Sequence, residues 1–130
     1  MAFNWFKRKR KTPEKTLVIF GTEFGSYQFL QLVQLSRKYQ AVGFISTDPW
    51  QKRSGFGKIG VILPAELNSI CEAQNVVAIV VTSDQKEFFE KGEEMQPVRD
   101  CKHLVKHCEI LEIPQESSMD TADAFIDNLV

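Results

Sequence analysis

Apolar positions in this chain gather into short uninterrupted runs, separated by stretches of helical periodicity. Thr16 to Phe20 predicts a first strand. Ala41 to Ser46 predicts a second, too apolar to alternate, as expected of a strand covered on both faces. Between them, Phe24 to Lys38 reads as a helix in which Gln28, Gln31 and Gln34 form a polar stripe while Leu30, Leu32, Val33 and Leu35 face inward. Ile59 to Leu63 predicts a third strand, followed by Pro64 in a first helical turn and a helix from Ala65 to Gln74. Val76 to Thr82 is the most hydrophobic segment and therefore the predicted central strand. Ser83, Asp84 and Glu87 read as a capping box opening a helix that breaks near Gly92 and Pro97 and resumes from Asp100 to Cys108. Glu109 to Ile113 predicts a fifth strand, and Thr121 to Leu129 a last helix.

Strands alternating with helices at this spacing imply right-handed crossovers and a parallel sheet. The expectation is a three-layer α/β Rossmann-like fold, with about five parallel strands in the order 3-2-1-4-5 and helices on both faces. The first strand runs into Gly21-Thr22-Glu23-Phe24-Gly25, a glycine turn opening a helix. A full pyrophosphate-seating fingerprint is Gly-x-Gly-x-x-Gly, with a carboxylate about 20 residues further on for the ribose hydroxyls. Here the turn is one residue short and lacks its middle glycine. The second strand ends in Ser46-Thr47, with the carboxylate displaced to Asp48.

Composition narrows the picture. A chain of 130 residues, 43% of them hydrophobic, has room for one domain with a core and not for two. The net charge of −1 hides an asymmetry: residues 1–15 carry six Lys/Arg against Glu14, and the rest carries ten basic against sixteen acidic groups. We therefore expect a basic, aromatic tail over residues 1–15 and a domain over 16–130, with Thr12-Pro13 at the boundary. The acidic body argues against a nucleic-acid surface on the domain, since duplex affinity rests on Lys/Arg neutralising phosphates. Three cysteines, Cys71, Cys101 and Cys108, make no disulfide framework, which suits a reducing cytoplasm. No apolar run approaches the roughly 20 residues that span a bilayer, and the amino terminus lacks a signal-peptide core. Phe3, Trp5 and Phe6 beside Lys7 to Lys11 instead have the makeup of a weak anchor to anionic membrane, or of a segment that docks on a protein partner.

Taken in order, the glycine turn, Val42-Gly43-Phe44-Ile45-x-x-Asp48-Pro49, Gly57-Lys58-Ile59-Gly60-Val61-x-Leu63 and Val76-x-x-Ile79-Val80-Val81 resemble one family. It is the small Rossmann domain at the front of bacterial polysaccharide-biosynthesis nucleotide-sugar dehydratases and related sugar-modifying proteins. More loosely, the chain is similar to CoA-binding and redox-sensing Rossmann domains. The resemblance covers roughly residues 16–115. It implies a protein that binds NAD(P) or a CoA-type nucleotide; the cysteines point to the cytoplasm, and the tail to at most a peripheral place on the inner membrane face. The departures lie at the missing middle glycine and at Ser46, Thr47 and Asp48, where family members carry acids.

The candidate binding residues are Gly21, Thr22, Gly25, Ser46, Thr47, Asp48, Arg53, Thr82 and Ser83. Gly21 to Gly25 places backbone N–H groups where a helix begins, an anion seat or simply a tight turn. Glu23 would repel a phosphate there. Lys52, Arg53 and Lys58 with Trp50 and Phe56 could stack a base and pair a phosphate, or form a solvated loop; Ser46 and Thr47 would tolerate a 2′-phosphate. Thr82, Ser83 and Asp84 end the central strand at the topological switch point, with Asp84 read as a helix cap. On a single helix, Cys101 and Cys108 would face away from His103 and His107, which argues against a shared metal ion. Tyr27 and Tyr39 lack the following Tyr-x-x-x-Lys lysine of short-chain dehydrogenases, and no Ser/His/Asp or Cys/His arrangement is evident. Three functions remain open: a non-catalytic nucleotide module, accessory or regulatory in surface-polysaccharide metabolism; an oxidoreductase or nucleotide-sugar modifier completed by a partner chain; and an interaction scaffold without ligand.

Overall fold

The uninterrupted apolar runs become strands of one sheet. In the computed structural model, which describes residues 15–47, 59–115 and 117–130, β1 is Lys15–Phe20, β2 Tyr39–Ile45, β3 Gly60–Ile62, β4 Val76–Thr82 and β5 Val105–Cys108. The order is β3-β2-β1-β4-β5, and every pairing is parallel. This is the α/β Rossmann-like fold with the expected strand order.

Pleating sends alternate residues of each strand to opposite faces. Leu17 and Ile19 of β1 and Ala78 and Val80 of β4 pack with Phe29, Leu32 and Val33 of α1 (Phe24–Leu35) and Ala122 and Ile126 of α5 (Met119–Leu129). Val18, Phe20, Ile79 and Val81 face the other way. They meet Leu67 of α2 (Leu67–Ala73), Phe89 of α3 (Lys86–Lys91) and Val98 of α4 (Gln96–Arg99). Both faces are thus covered, which is why β1 and β4 are apolar at nearly every position.

α1 stops at Leu35, three residues before the expected Lys38, because Ser36 turns extended. The Ser36 hydroxyl accepts from the Lys38 and Tyr39 N–H groups, both at 3.1 Å, and donates to Asp123 Oδ1 at 2.5 Å. Asp123 also accepts from the Arg37 N–H at 3.0 Å. One turn on, Asp127 takes the Lys38 ammonium at 2.7 Å and the Tyr39 hydroxyl at 2.6 Å, while Arg37 also pairs with Asp120. This polar seam docks α5, whose amino end is capped by the Ser118 hydroxyl accepting from the Thr121 N–H.

The carboxyl third departs from expectation. Asp100 to Cys108 is not one helix: Lys102–Leu104 is a 3-10 turn and Val105–Cys108 is the fifth strand. Glu109 to Ile113, expected as that strand, contains a 3-10 turn over Ile110–Glu112 that leaves Leu111 97% exposed. The two cysteines and two histidines therefore do not share a helix. Cys101 instead packs on one face of the sheet and Cys108 on the other. Among the described residues, no three His, Cys, Asp or Glu side chains are grouped to hold a metal ion. No described helix is long and apolar enough to cross a membrane.

Candidate functional site

The strand order reverses on either side of β1, so the carboxyl ends of β1, β2 and β4 frame a crevice where ligands of this architecture collect. β1 leads into Gly21, whose φ of +89° is the left-handed conformation that glycine adopts without strain. Its N–H donates to the Ile45 carbonyl at 2.9 Å, tying the turn to the end of β2. A methyl group at Gly21 would lie 2.5 Å from Oε1 of Gln85, so the Gln85 side chain lies directly against the turn.

A cleft of about 340 Å³ opens here, lined by Gly21, Thr22, Glu23, Ile45, Ser46, Thr47, Gln85 and Phe88. Volume alone does not single it out, since a cavity of about 420 Å³ lies between α1 and residues 114–117. Position does, because the cleft joins the ends of β1 and β2 to the turn after β4, whereas a cavity of about 440 Å³ lined by Thr47, Leu63 and Pro97 lies past β2 and β3, away from β1. Phe88 stands 44% exposed on the cleft wall, backed by Phe20 with ring centroids 6.0 Å apart. Among the described residues, the one ionisable side chain of the lining is Glu23, which takes the N-cap position of α1 without making a capping hydrogen bond.

Of the residues picked from the sequence, Gly21, Thr22, Ser46 and Thr47 come together in this cleft. Gly25, Thr82 and Ser83 do not line it; they form an adjoining closed cluster around Asp84. Asp84 was expected to cap its own helix as part of a box with Ser83 and Glu87, and it does not. Residues Ser83–Gln85 form a 3-10 turn whose N-cap is Thr82, and the N-cap of α3 is Gln85. The Asp84 carboxylate reaches across the crevice instead. Its Oδ2 accepts from the Gly25 N–H at 3.0 Å and its Oδ1 from the Thr82 hydroxyl at 2.7 Å. The Ser83 hydroxyl accepts from the Ile110 N–H at 3.0 Å. That bond holds the Ile110 side chain so close over Gly25 that a Cβ there would meet it at 2.8 Å.

Asp48 and Arg53 lie outside the described residues, as do Trp50, Lys52, Phe56, Lys58 and the basic, aromatic segment Phe3 to Lys11. Gln85 and Phe88 were missed from the sequence. Their signal was only their place, within six residues of the end of the central strand.

No protein-family model matches the chain, and no curated protein sequence does. Among solved structures, the chain is similar to UDP-D-quinovosamine 4-dehydrogenase from Vibrio fischeri, with a TM-score of 0.54 and 14% sequence identity. The likeness takes in 90% of this chain and 88% of that one. It is a likeness of fold over nearly the full length of both, and it accords with the family resemblance read from the sequence.

Proposed function

We propose that this chain is a non-catalytic, accessory Rossmann module that binds a nucleotide-derived ligand in the cleft over Gly21, with the nucleoside end as the part recognised. One observation carries the reading. The cleft at the strand-order reversal gathers three hydroxyl side chains, a carboxamide, a carboxylate and an exposed aromatic ring, in a space of about 340 Å³. The Phe88 ring offers a stacking face for a base, Glu23 an acceptor for ribose hydroxyls, and Thr22, Ser46, Thr47 and Gln85 the hydrogen-bonding edge. Among the described residues the lining supplies no histidine, cysteine or lysine, and Glu23 is its one group able to take up a proton. The fold likeness to a protein named for a UDP-sugar favours sugar nucleotides among the ligands to be tried.

The test is a thermal-shift series on the full chain with adenosine, uridine, NAD, NADP, CoA and a UDP-sugar at millimolar concentration. A ligand at a hundred times its Kd raises stability by about 2.7 kcal/mol, a shift of several degrees in Tm. A selective shift that Phe88→Ala abolishes supports the reading; no shift with any compound overturns it. A second reading, an interaction scaffold without ligand, is favoured by the closure of the amino end of α1 by Asp84 and by exposed Phe24 and Leu111 nearby in sequence to that closure. It would be upheld by that negative result.

A further inference from the structure

We propose that Asp84 is a specificity-determining residue, whose carboxylate fills the place at the start of α1 where the phosphate of a nucleotide would otherwise bind. The cleft then admits ligands held by their nucleoside and turns away those that must seat a pyrophosphate on Gly25. This rests on the nucleoside reading of the cleft for its ligand class, although the occupation of the α1 terminus stands by itself.

α1 is twelve residues long; its N-cap residue Glu23 makes no capping hydrogen bond, and its first turn holds no acidic residue. The unpaired N–H groups and positive dipole of such an end attract an anion. In this fold that anion is ordinarily the ligand's phosphate. Here it comes from the chain itself, from a residue 59 positions further on. Two tethers fix it: the Gly25 N–H donates to Oδ2, and the wholly buried Thr82 donates its hydroxyl to Oδ1. The seat is closed from a second side by Ile110, which the Ser83 hydroxyl holds by its N–H. A Cβ on Gly25 would meet Asp84 Oδ1 at 2.7 Å and Ile110 Cδ1 at 2.8 Å, so the space that the glycine opens is already taken. A phosphate oxygen bonding to the Gly25 N–H would have to take the position of Asp84 Oδ2 and would face a like charge. Specificity achieved by a repulsive group is as effective as that achieved by an attractive one.

The experiment uses the full chain as wild type, Asp84→Asn and Asp84→Ala, with inorganic pyrophosphate, adenosine and ADP as probes. Binding is followed by calorimetry and by the amide resonance of Gly25. The wild type is expected to bind adenosine and ADP alike and to leave the Gly25 amide unmoved by pyrophosphate. In the variants pyrophosphate should shift that amide, and ADP should gain about tenfold over adenosine. A wild type whose Gly25 amide responds to pyrophosphate, or folded variants that remain blind to it, overturns the proposal. If neither variant folds, the wild-type response at Gly25 decides alone. Adenosine failing to bind while the variants acquire pyrophosphate would sink the nucleoside reading and leave the role of Asp84 standing.

Discussion

Replacing Gly21 by alanine tests how the turn beneath the cleft is built. The residue sits at φ +89°, and an L side chain in the left-handed region costs about 1–2 kcal/mol. The added methyl would also lie 2.5 Å from Gln85 Oε1 and 2.8 Å from its Cδ. That overlap is with the far end of a flexible side chain, so it can be relieved by driving Gln85 off its rotamer for about 0.5–1.5 kcal/mol. Together the loss is about 1.5–3.5 kcal/mol, or roughly 10 °C in Tm for a domain of this length. Urea denaturation followed by far-ultraviolet circular dichroism measures it, with an unchanged slope showing that the fold is kept. Repeating the substitution in a Gln85→Ala background separates the two contributions. There the cost should fall to the backbone part alone, leaving a coupling of about 0.5–1.5 kcal/mol. A Gly21→Ala loss below about 0.5 kcal/mol would refute the strain argument, and no coupling would refute the contact with Gln85.

Acid should loosen the seam that docks α5. Burial opposes the charge on Asp123, but hydrogen bonds from Ser36 and Arg37 win and hold its carboxyl below the usual value; the Lys38 ammonium and Tyr39 hydroxyl do the same for Asp127. Their contribution is present above the ordinary carboxylate pKa of about 4 and is lost as pH falls through it toward the depressed values. Urea midpoints between pH 7 and 3 should therefore fall more steeply in the wild type than in Asp123→Asn/Asp127→Asn, and parallel curves would refute this. At the alkaline end, burial and then the bond to Asp127 push Tyr39 up to about 12. Stability from the protonated phenol should thus persist below pH 10 and disappear as pH rises through 12, and absorbance titration should show Tyr39 ionising earlier in Asp127→Asn. The Cys108 thiol, pushed up to about 12 by burial and then by Glu112 and Glu109, should resist a thiol reagent at pH 8 until the protein is unfolded. Ile126→Ala, at a wholly buried contact between α5 and the sheet, should cost about 2–5 kcal/mol in the same urea assay.

How much could be read in the sequence depended on whether a signal was local. β1, β2 and β4 are covered on both faces, so their apolar runs needed no partner to be recognised. β5 was misread because it is short, lies at one side of the sheet and pairs with β4 alone. Its Lys106 and His107 break the apolar run, whereas Ile110, Leu111 and Ile113 next door look more like a strand and form a turn. The cleft residues on the glycine turn and at the end of β2 were legible from position. Asp84 reads in the sequence as a helix cap, which is a local pattern, but the N–H it accepts from belongs to Gly25, and nothing in the neighbourhood of either residue announces the other.

The outermost strands of the described sheet are three residues long at β3 and four at β5. So little exposed ladder is a poor template for a strand from another molecule, and the lysine within β5 makes it poorer still. Along these two described edges, backbone addition finds little to pair with. A partner meeting the protein at either of them would be recognised through side chains rather than by extending the sheet.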